Sequence, residues 1–335
     1  MPLVDSVQFK NYRNFTDFEM KDLKRVNLIV GDSNVGKTGL LEGLVTLWGD
    51  EQQFKALPNT FRMNYGNDIT TKENFWSWLY PEKNKSLSVE LASHYIGSQD
   101  HEVHRVRFRD DFTRYKEYVT PEKITNAGSG RFNVVPAKVY EEYFHRDFLK
   151  INILPIGIGD YEKQKSLFNK VSLMKNGESQ LIDSLSVIEP RLNGLRYLEA
   201  PPSTQPMVYA DVGLDYKIPT TQFGHGFTRS MEMLSNLILS GSDIMIADEI
   251  ENGIHYSALG SVWKAIIDYA VKNDVQVFAT THSRECIAAA HEAMEAQDNY
   301  ELNVIRLQNR KGEVVAINHD EEDIKTAFDL NLPLR

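Results

Sequence analysis

An octapeptide near the N-terminus, GDSNVGKT at residues 31–38, constrains this chain more than any other feature. It directly follows the apolar run RVNLIV, and TGLLEGLVTLWG continues behind it with apolar residues at helical spacing. Glycines let such a loop turn tightly, so that its backbone N–H groups can surround an anion at the positive end of the next helix. A strand, a glycine-containing loop and a helix in this order predict a phosphate-binding loop.

Each of several residues in this loop is expected to contact a particular part of a bound triphosphate. Gly31, Asn34 and Gly36 are expected to form the backbone cradle around the β-phosphate. Lys37 is expected to reach the β- and γ-phosphates, and the Thr38 hydroxyl is placed to ligand Mg²⁺. Lys37 therefore counts both as a nucleotide-binding and as a catalytic residue.

A second motif, DIMIADEIENGIH at residues 243–255, is an apolar strand that ends in two carboxylates. Asp248 is expected to hold Mg²⁺, directly or through water, and Glu249 to act as the general base on an attacking water. Two adjacent carboxylates at the end of a buried strand are costly without a cation. We therefore favour a catalytic over a purely structural role.

A third apolar strand, VQVFATTHS at residues 275–283, ends at His282. A histidine at this strand end, in line with the two earlier strand ends, is expected to contact the γ-phosphate and hold the water. On its own such a histidine is more often a packed or solvent-facing residue. Its assignment depends on its order after the other two motifs.

Strands alternate with helices along most of the chain, which predicts a mainly parallel sheet. The first strands form a hairpin around KNYRN, and short strands between about 86 and 120 predict an antiparallel β subdomain. Residues 1–135 are interpreted as the N-terminal part of one α/β domain that carries the phosphate-binding loop and the β subdomain, 136–205 as an inserted helical lobe, and 206–335 as the C-terminal part of the same domain. No heptad array long enough for a coiled-coil arm is present.

The formal net charge of −10 argues against a surface that is positive overall. The best basic patch contains Arg105, Arg107 and Arg109, which share one face if the segment is a strand. A solvated outer face is the favoured reading, because Asp110 and Asp111 follow. Nucleic-acid binding is therefore left open but is not supported by the charge.

The remaining composition bears on compartment and on metal sites. The single cysteine, Cys286, excludes an intramolecular disulfide and is expected to pack within a helix. His101 and His104 are too few ligands to indicate a metal site. No run approaches the roughly 18 apolar residues of a membrane span, and the segment MPLVDSVQFKNY lacks a signal pattern, so we expect a cytoplasmic protein.

In their order, GDSNVGKT, IMIADEIENGIH and FATTHS resemble the Walker A, Walker B, D-loop and switch-histidine elements of ABC-class ATPases. More narrowly, FKNYRNF, DEIENGIHYS and IPTTQFGHGFTRSM resemble the OLD-type (overcoming lysogenization defect) ATPases and their standalone relatives. The resemblance implies an α/β fold: an ABC-ATPase-like P-loop NTPase head with a mainly parallel core sheet, an antiparallel β subdomain and an inserted helical lobe. It also implies ATP and Mg²⁺ as ligands.

In ABC-class ATPases the site is completed by a second subunit, so the resemblance implies a homodimer that sandwiches two ATP molecules. FGHGFTRS occupies the position of the signature motif, which makes Gly224, Gly226 and Arg229 candidates for contact with the partner's γ-phosphate. Asn252 belongs to the segment that resembles the D-loop, which crosses the dimer. The glutamine that usually contacts the magnesium is unassigned, because Gln52 and Gln53 follow the phosphate loop too closely.

The resemblance further implies a slow ATPase that acts as a conformational switch or scaffold, as a dimer or a higher oligomer. Its relatives suggest a sensor or regulatory subunit of a bacterial anti-phage defence system, with a nuclease or toxin effector in trans. OLD-type nucleases carry a Toprim domain with its own metal-binding carboxylates, and none is expected here. The acidic residues 320–323 are better explained as the start of a helix.

Two other classes remain alternatives. A monomeric P-loop kinase or GTPase would act on its own substrate, but a GTPase should show an N/T-K-x-D motif, and none follows the phosphate loop. A DNA-repair ATPase of the chromosome-maintenance type would need a coiled-coil arm.

Overall fold

The structure is a computed structural model that describes residues 3–61, 75–84, 86–95, 103–108, 114–119, 149–154, 161–199 and 206–334. Its strands are β1 (Val4–Tyr12), β2 (Phe15–Met20), β3 (Val26–Gly31), β4 (Glu90–Tyr95), β5 (Val103–Phe108), β6 (Arg114–Val119), β7 (Ile151–Leu154), β8 (Gly194–Leu198), β9 (Met207–Asp211), β10 (Ile218–Pro219), β11 (Ile244–Ala247), β12 (Gln276–Thr280), β13 (Leu302–Arg310) and β14 (Glu313–His319). Its α-helices are α1 (Lys37–Trp48), α2 (Glu51–Ala56), α3 (Tyr161–Leu173), α4 (Gly177–Leu185), α5 (His225–Ser240), α6 (Tyr256–Lys272), α7 (Arg284–Glu295) and α8 (Glu321–Asp329). Within these ranges, no helix has the length and apolar character needed to cross a membrane.

A six-stranded sheet in the order β14-β13-β3-β12-β11-β7 forms the core. Its neighbours pair in parallel, except for the antiparallel pair of β13 with β14. The strands β3, β11 and β12 are buried along their whole length, as expected for strands covered on both faces. The predicted α/β fold with a mainly parallel core sheet is confirmed.

The two faces of this sheet pack against different layers, because successive residues of a strand point to opposite sides. Leu28 and Val277 belong to the apolar cluster that includes α3 to α8. Ile29 and Phe278 belong to the cluster on the other face, with α1 and the hairpin of β1 and β2. The core sheet is thus the middle layer, and α1 is held between it and the hairpin.

Antiparallel strands form two further sheets. One has the order β2-β1-β4-β5-β6, and the other has the order β10-β9-β8. The predicted first hairpin and the predicted β subdomain are present. Arg105 and Arg107 lie in β5. His101 and Arg109 lie outside the described residues.

The described part of the segment 136–205 contains strands as well as the helices expected of an inserted helical lobe. It contains the helices α3 and α4, but β7 pairs in parallel with β11 as a strand of the core sheet, and β8 belongs to the three-stranded sheet. A run as short as INIL has no periodicity that separates a strand from a helix, so pairing with β11 decides its conformation. The domain limits 1–135, 136–205 and 206–335 remain a prediction.

Two local interpretations agree with the structure. Cys286 is buried in α7 and accepts a hydrogen bond from Trp263 Nε1 at 3.2 Å. The side chain of Asp320 accepts from the Asp323 N–H, and the Asp323 side chain accepts in return from the Asp320 N–H. This reciprocal capping accounts for the acidic start of α8.

Candidate nucleotide-binding site

The phosphate loop connects the end of β3 to the start of α1 through two residues with positive φ. Asn34 has φ of 65°, and Gly36 has φ of 115° directly before α1. A Cβ at Gly36 would lie 2.7 Å from Nδ2 of Asn14, so both the backbone and the available space select glycine. Asn14 Nδ2 also donates to the Val35 carbonyl at 2.9 Å, which ties the first hairpin to the loop.

Lys37 is the first residue of α1, and only 6% of it is exposed. Its Nζ donates to the carbonyl oxygens of Gly31 at 2.7 Å and of Asp32 at 2.9 Å. Burial lowers the pKa of Lys37, and nearby carboxylates, Asp248 foremost, act in the opposite direction. The loop thus holds the Lys37 ammonium group against its own carbonyl oxygens. A phosphate bound in the loop could replace these carbonyl oxygens as the acceptor.

The predicted magnesium ligands Thr38 and Asp248 are in contact. Thr38 Oγ1 donates to Asp248 Oδ2 at 3.0 Å, although 210 positions separate the two residues. Thr280 Oγ1, at the end of β12, donates to the other carboxylate oxygen at 2.5 Å. The contact follows from the parallel register, because β3, β12 and β11 end at the same edge of the sheet.

The expected general base and the switch histidine also meet at this edge. Glu249 Oε1 lies 3.8 Å from His282 Nε2, and both side chains are nearly half exposed. Glu249 has φ of 45°, and its N–H donates to Thr280 Oγ1 at 2.8 Å. A positive φ in a non-glycine residue costs energy and persists only where the surroundings fix it, as they do here.

These residues surround an open cleft of about 1000 Å³. The cleft brings together several of the sequence-predicted residues: Asn34, Gly36, Lys37, Thr38, Glu249 and His282. Asp248 and Gly31 contact two of these residues. The Asp248 carboxylate accepts from the Thr38 hydroxyl, and the Gly31 carbonyl accepts from Lys37 Nζ. The cleft is of a size typical of ligand sites.

Sequence reasoning missed another wall of the cleft. Arg13 lines it from the turn between β1 and β2, where its Nη2 lies 2.7 Å from Glu42 Oε2 in α1. The Arg13 guanidinium also lies 4.9 Å from the centre of the Phe75 ring. The aromatic side chains on the same wall are those of Phe61, Phe75, Trp78 and Tyr80. Arg13 lies in the segment FKNYRNF, which carries part of the family resemblance but contains no motif that marks a site residue.

The expected signature residues lie away from this cleft, at the start of α5. Gly224 is exposed with φ of 85°, and a Cβ there would meet open space. Gly226 is buried, and its Cβ would lie 2.9 Å from the Cβ of Ala258 in α6. Arg229 is 1% exposed, with its Nη1 3.5 Å from Glu232 Oε2.

Two of these residues make contacts within the chain. Gly226 is occupied with helix packing, and Arg229 lies on the inward side of α5. Burial lowers the pKa of Arg229, while the adjacent Glu232 carboxylate acts in the opposite direction. Contact of Gly224, Gly226 and Arg229 with a partner's γ-phosphate stays a prediction.

The loop after β11 carries the expected D-loop residue. Asn252 is exposed, and its N–H donates to the Glu249 carbonyl at 2.8 Å. Its contact with a partner stays a prediction. Gln53, which was rejected above as the glutamine that contacts the magnesium, accepts from the Asp50 N–H and donates to the Ile151 carbonyl, so its amide bonds within the chain.

The core sheet and the strand ends that converge on the phosphate loop define a class of fold, the head domain of ABC-type ATPases. The chain aligns with the SMC head domain from Thermotoga maritima at a TM-score of 0.56 and 12% identity, covering 96% of this chain and 100% of that domain. An SMC head bound to the C-winged helix domain of ScpA aligns at a TM-score of 0.59 and 13% identity, with 97% and 100% coverage. At such low identity these likenesses establish the fold.

Sequence comparison finds a relative of similar length. An ATP/GTP phosphatase from Helicobacter pylori is 24% identical over 347 aligned positions, which cover 88% of this chain and 90% of the relative. The DNA replication and repair protein RecF of Bacillus thuringiensis is 28% identical over 91 positions, only 26% of this chain and 22% of RecF. No known protein-family profile matches the chain. The comparisons support an ATPase of the ABC type, and the narrower OLD type stays a proposal.

Proposed function

We propose that this chain binds ATP with Mg²⁺ in the cleft and hydrolyses it to ADP and phosphate. The observation that carries the proposal is the meeting of Lys37, the Thr38–Asp248 pair and the Glu249–His282 pair at one edge of the core sheet. The ABC-type head fold and the similarity to an ATP/GTP phosphatase support the same reaction.

The residues at this edge fit a magnesium ion. The Thr38 hydroxyl and the Asp248 carboxylate, 3.0 Å apart, are hard oxygen ligands of the kind that Mg²⁺ takes together with phosphate oxygens and water. Bound Mg²⁺ would neutralise charge on the phosphates. Lys37 would donate to the β- and γ-phosphate oxygens in place of its present carbonyl acceptors.

Glu249 is the base in this proposal. Its carboxylate accepts a proton from the water whose oxygen attacks the γ-phosphorus, the bond from that phosphorus to the bridging oxygen breaks, and ADP leaves. His282 lies beside Glu249 and would hold the water or the γ-phosphate through Nε2. The site residues therefore divide into a phosphate cradle, a metal-ligand pair and a water-activating pair.

We further propose that two copies close around two ATP molecules. Gly224 at the N-terminal end of α5 and Asn252 are both exposed, which suits contact with a second chain. A conformational switch of the OLD type, which senses a phage and controls a nuclease or toxin effector in trans, follows from resemblance alone. The division into domains and the cytoplasmic location belong to the same proposal.

The mass of the Glu249→Gln variant in solution, measured by light scattering, tests the proposal. This variant should bind ATP and fail to hydrolyse it, so ATP with Mg²⁺ should shift the mass from monomer towards dimer or a higher assembly. ADP should not cause the shift, and neither should ATP when Lys37→Ala is added. A protein that stays monomeric and phosphorylates a small acceptor would instead be a kinase, and preference for GTP would indicate a GTPase.

A DNA-repair ATPase is a second candidate, favoured by the RecF similarity and the SMC head fold. Steady-state ATP hydrolysis with and without double-stranded DNA separates it from the defence switch. Stimulation that declines as salt is raised would favour DNA as the ligand. An unchanged rate across DNA concentrations would leave the defence switch as the better proposal.

A further inference from the structure

We propose that Glu251 is a positioning residue that fixes His282 for ATP hydrolysis. This inference rests on the proposed function and assigns a role to a carboxylate that the motif analysis did not single out. Glu251 lies outside the lining of the cleft, whereas Glu249 and His282 line it. Glu251 therefore acts on the reaction through His282 and not by touching the nucleotide.

The contact that carries the proposal is a hydrogen bond between two loops. The backbone N–H of His282 donates to Glu251 Oε1 at 2.9 Å. Glu251 follows β11 and His282 follows β12, so the bond joins the ends of two neighbouring strands of the core sheet. It holds the backbone of the residue whose ring faces the cleft.

This bond completes a series of contacts along the two loops. The N–H of Glu249 donates to Thr280 Oγ1 at 2.8 Å, and the N–H of Ile250 donates to the Thr280 carbonyl at 3.1 Å. These two bonds fix the loop after β11 against the last residue of β12. The bond from His282 to Glu251 runs in the reverse direction and fixes the loop after β12.

The two carboxylate oxygens of Glu251 differ in their contacts. Oε1 accepts from the His282 N–H, whereas Oε2 is shielded from solvent and no hydrogen-bond donor among the described residues contacts it. A hydrogen bond from an N–H group to an ionised carboxylate is stronger than one between neutral groups.

The carboxylate of Glu251 lies near the start of α7. It accepts a hydrogen bond from His282, and the next residue, Ser283, caps the N-terminus of that helix. Negative charge is favourable at a helix N-terminus.

The separation of Glu249 and His282 explains why the backbone position matters. Their carboxylate and imidazole atoms are 3.8 Å apart, and the His282 ring is 43% exposed, so packing alone does not hold it. We expect loss of the bond to Glu251 to loosen the peptide between Thr281 and His282 and to shift the ring away from the water. Misplacement of a reacting group by about 1 Å can cost on the order of 100-fold in rate.

Substitution of Glu251 separates a positioning role from a binding role. In Glu251→Ala we expect kcat for ATP hydrolysis to fall about 10- to 100-fold, with KM and ADP affinity changed less than about two-fold. Glu251→Gln should retain most of the activity, because its amide oxygen can accept the same N–H. The matched control is Glu285→Ala, which removes the carboxylate in the first turn of α7 and should leave kcat unchanged.

A double-mutant cycle shows whether the effect passes through His282. In a His282→Ala background, Glu251→Ala should cause no further loss of kcat. Additive losses, a raised KM, or an equal loss in Glu251→Gln and Glu251→Ala would each overturn the proposal. If Glu251→Ala does not fold, Glu251→Asp makes the same test, because its shorter carboxylate cannot reach the His282 N–H. Absence of ATP hydrolysis by the unmodified protein would instead contradict the proposed function.

Discussion

The phosphate loop and the start of α5 are both glycine-containing segments that lead into a helix, yet they use the glycine differently. Gly36 is enclosed by Asn14, and the next residue, Lys37, remains at the cleft. Gly224 faces open space, and Arg229 a turn later lies inside the protein beside Glu232. The first segment is a site built within one chain, while the second presents chiefly its backbone and the end of a helix.

The difference shows for which kind of motif the position of a side chain can be predicted from the sequence. The phosphate loop depends on adjacent residues whose geometry the strand, loop and helix fix locally. The orientation of Arg229 depends on which side of α5 packs against the rest of the chain, and that is decided by tertiary structure. A residue assigned by analogy in such a helix therefore needs the helix orientation as a second criterion.

The largest expected effect concerns the stability of the α5 segment. Arg229→Met removes one partner of a buried ion pair and leaves Glu232 without that compensation, so the free energy of unfolding should fall by about 3–5 kcal/mol. Urea-induced unfolding measures this loss. ATP turnover per folded molecule should remain near that of the unmodified protein.

Arg191→Met provides the control, because Arg191 pairs with Glu189 at the surface, where such pairs contribute about 0–1 kcal/mol. If Arg229→Met kept full stability but lost turnover, the side chain would act on nucleotide, and the contrast between the two segments would be wrong.

The next effect concerns catalysis at the phosphate loop. Lys37→Ala removes the cation that the loop holds over its carbonyl groups, and turnover should fall by about 100- to 1000-fold. Steady-state phosphate release measures the loss, and nucleotide binding should weaken with it. Lys55→Ala, at an exposed lysine of α2 paired with Glu51, is the control and should retain normal turnover. Unchanged turnover in Lys37→Ala would rule out this site.

Much of the fold was predictable because burial leaves a local signature. The mainly apolar strands β3, β11 and β12 and the helices α5 to α7 follow directly from their sequence patterns. The strand β7 was missed because a run of four residues is too short to show a period, and its conformation depends on pairing with β11.

The site was predictable where a motif names its own residues, as for Lys37, Thr38 and Asp248. The roles of Arg13, Thr280 and Glu251 arise from contacts between distant segments: Arg13 with α1, Thr280 with Asp248, and Glu251 with His282. No local pattern encodes such contacts. They become visible only once the strand ends are brought to one edge.

A moderate effect is expected at the junction of the strand ends. Thr280→Val keeps the side-chain shape but removes the hydroxyl that donates to Asp248 and accepts from the Glu249 N–H. We expect a loss of about 1–3 kcal/mol in unfolding free energy and a fall in kcat, because the Asp248 carboxylate and the Glu249 backbone N–H each lose a fixed partner. Thr46→Val, at a buried threonine whose hydroxyl donates to the Glu42 carbonyl, should lower stability and spare kcat. Equal kcat values for the two variants would contradict the role of Thr280.

The smallest expected effect concerns the two glycines at the start of α5, Gly224 and Gly226. Gly224→Ala places a Cβ at φ of 85° and should cost about 1–2 kcal/mol of stability through backbone strain. Gly226→Ala should cost a similar amount for another reason, because its Cβ approaches that of Ala258. In a Glu249→Gln background, only Gly224→Ala should also weaken ATP-dependent dimerisation measured by light scattering, since only that Cβ projects into open space where a partner's phosphate would approach. If both variants reduced dimerisation equally per folded molecule, the start of α5 would act through helix packing alone, and its proposed contact with a second chain would fail.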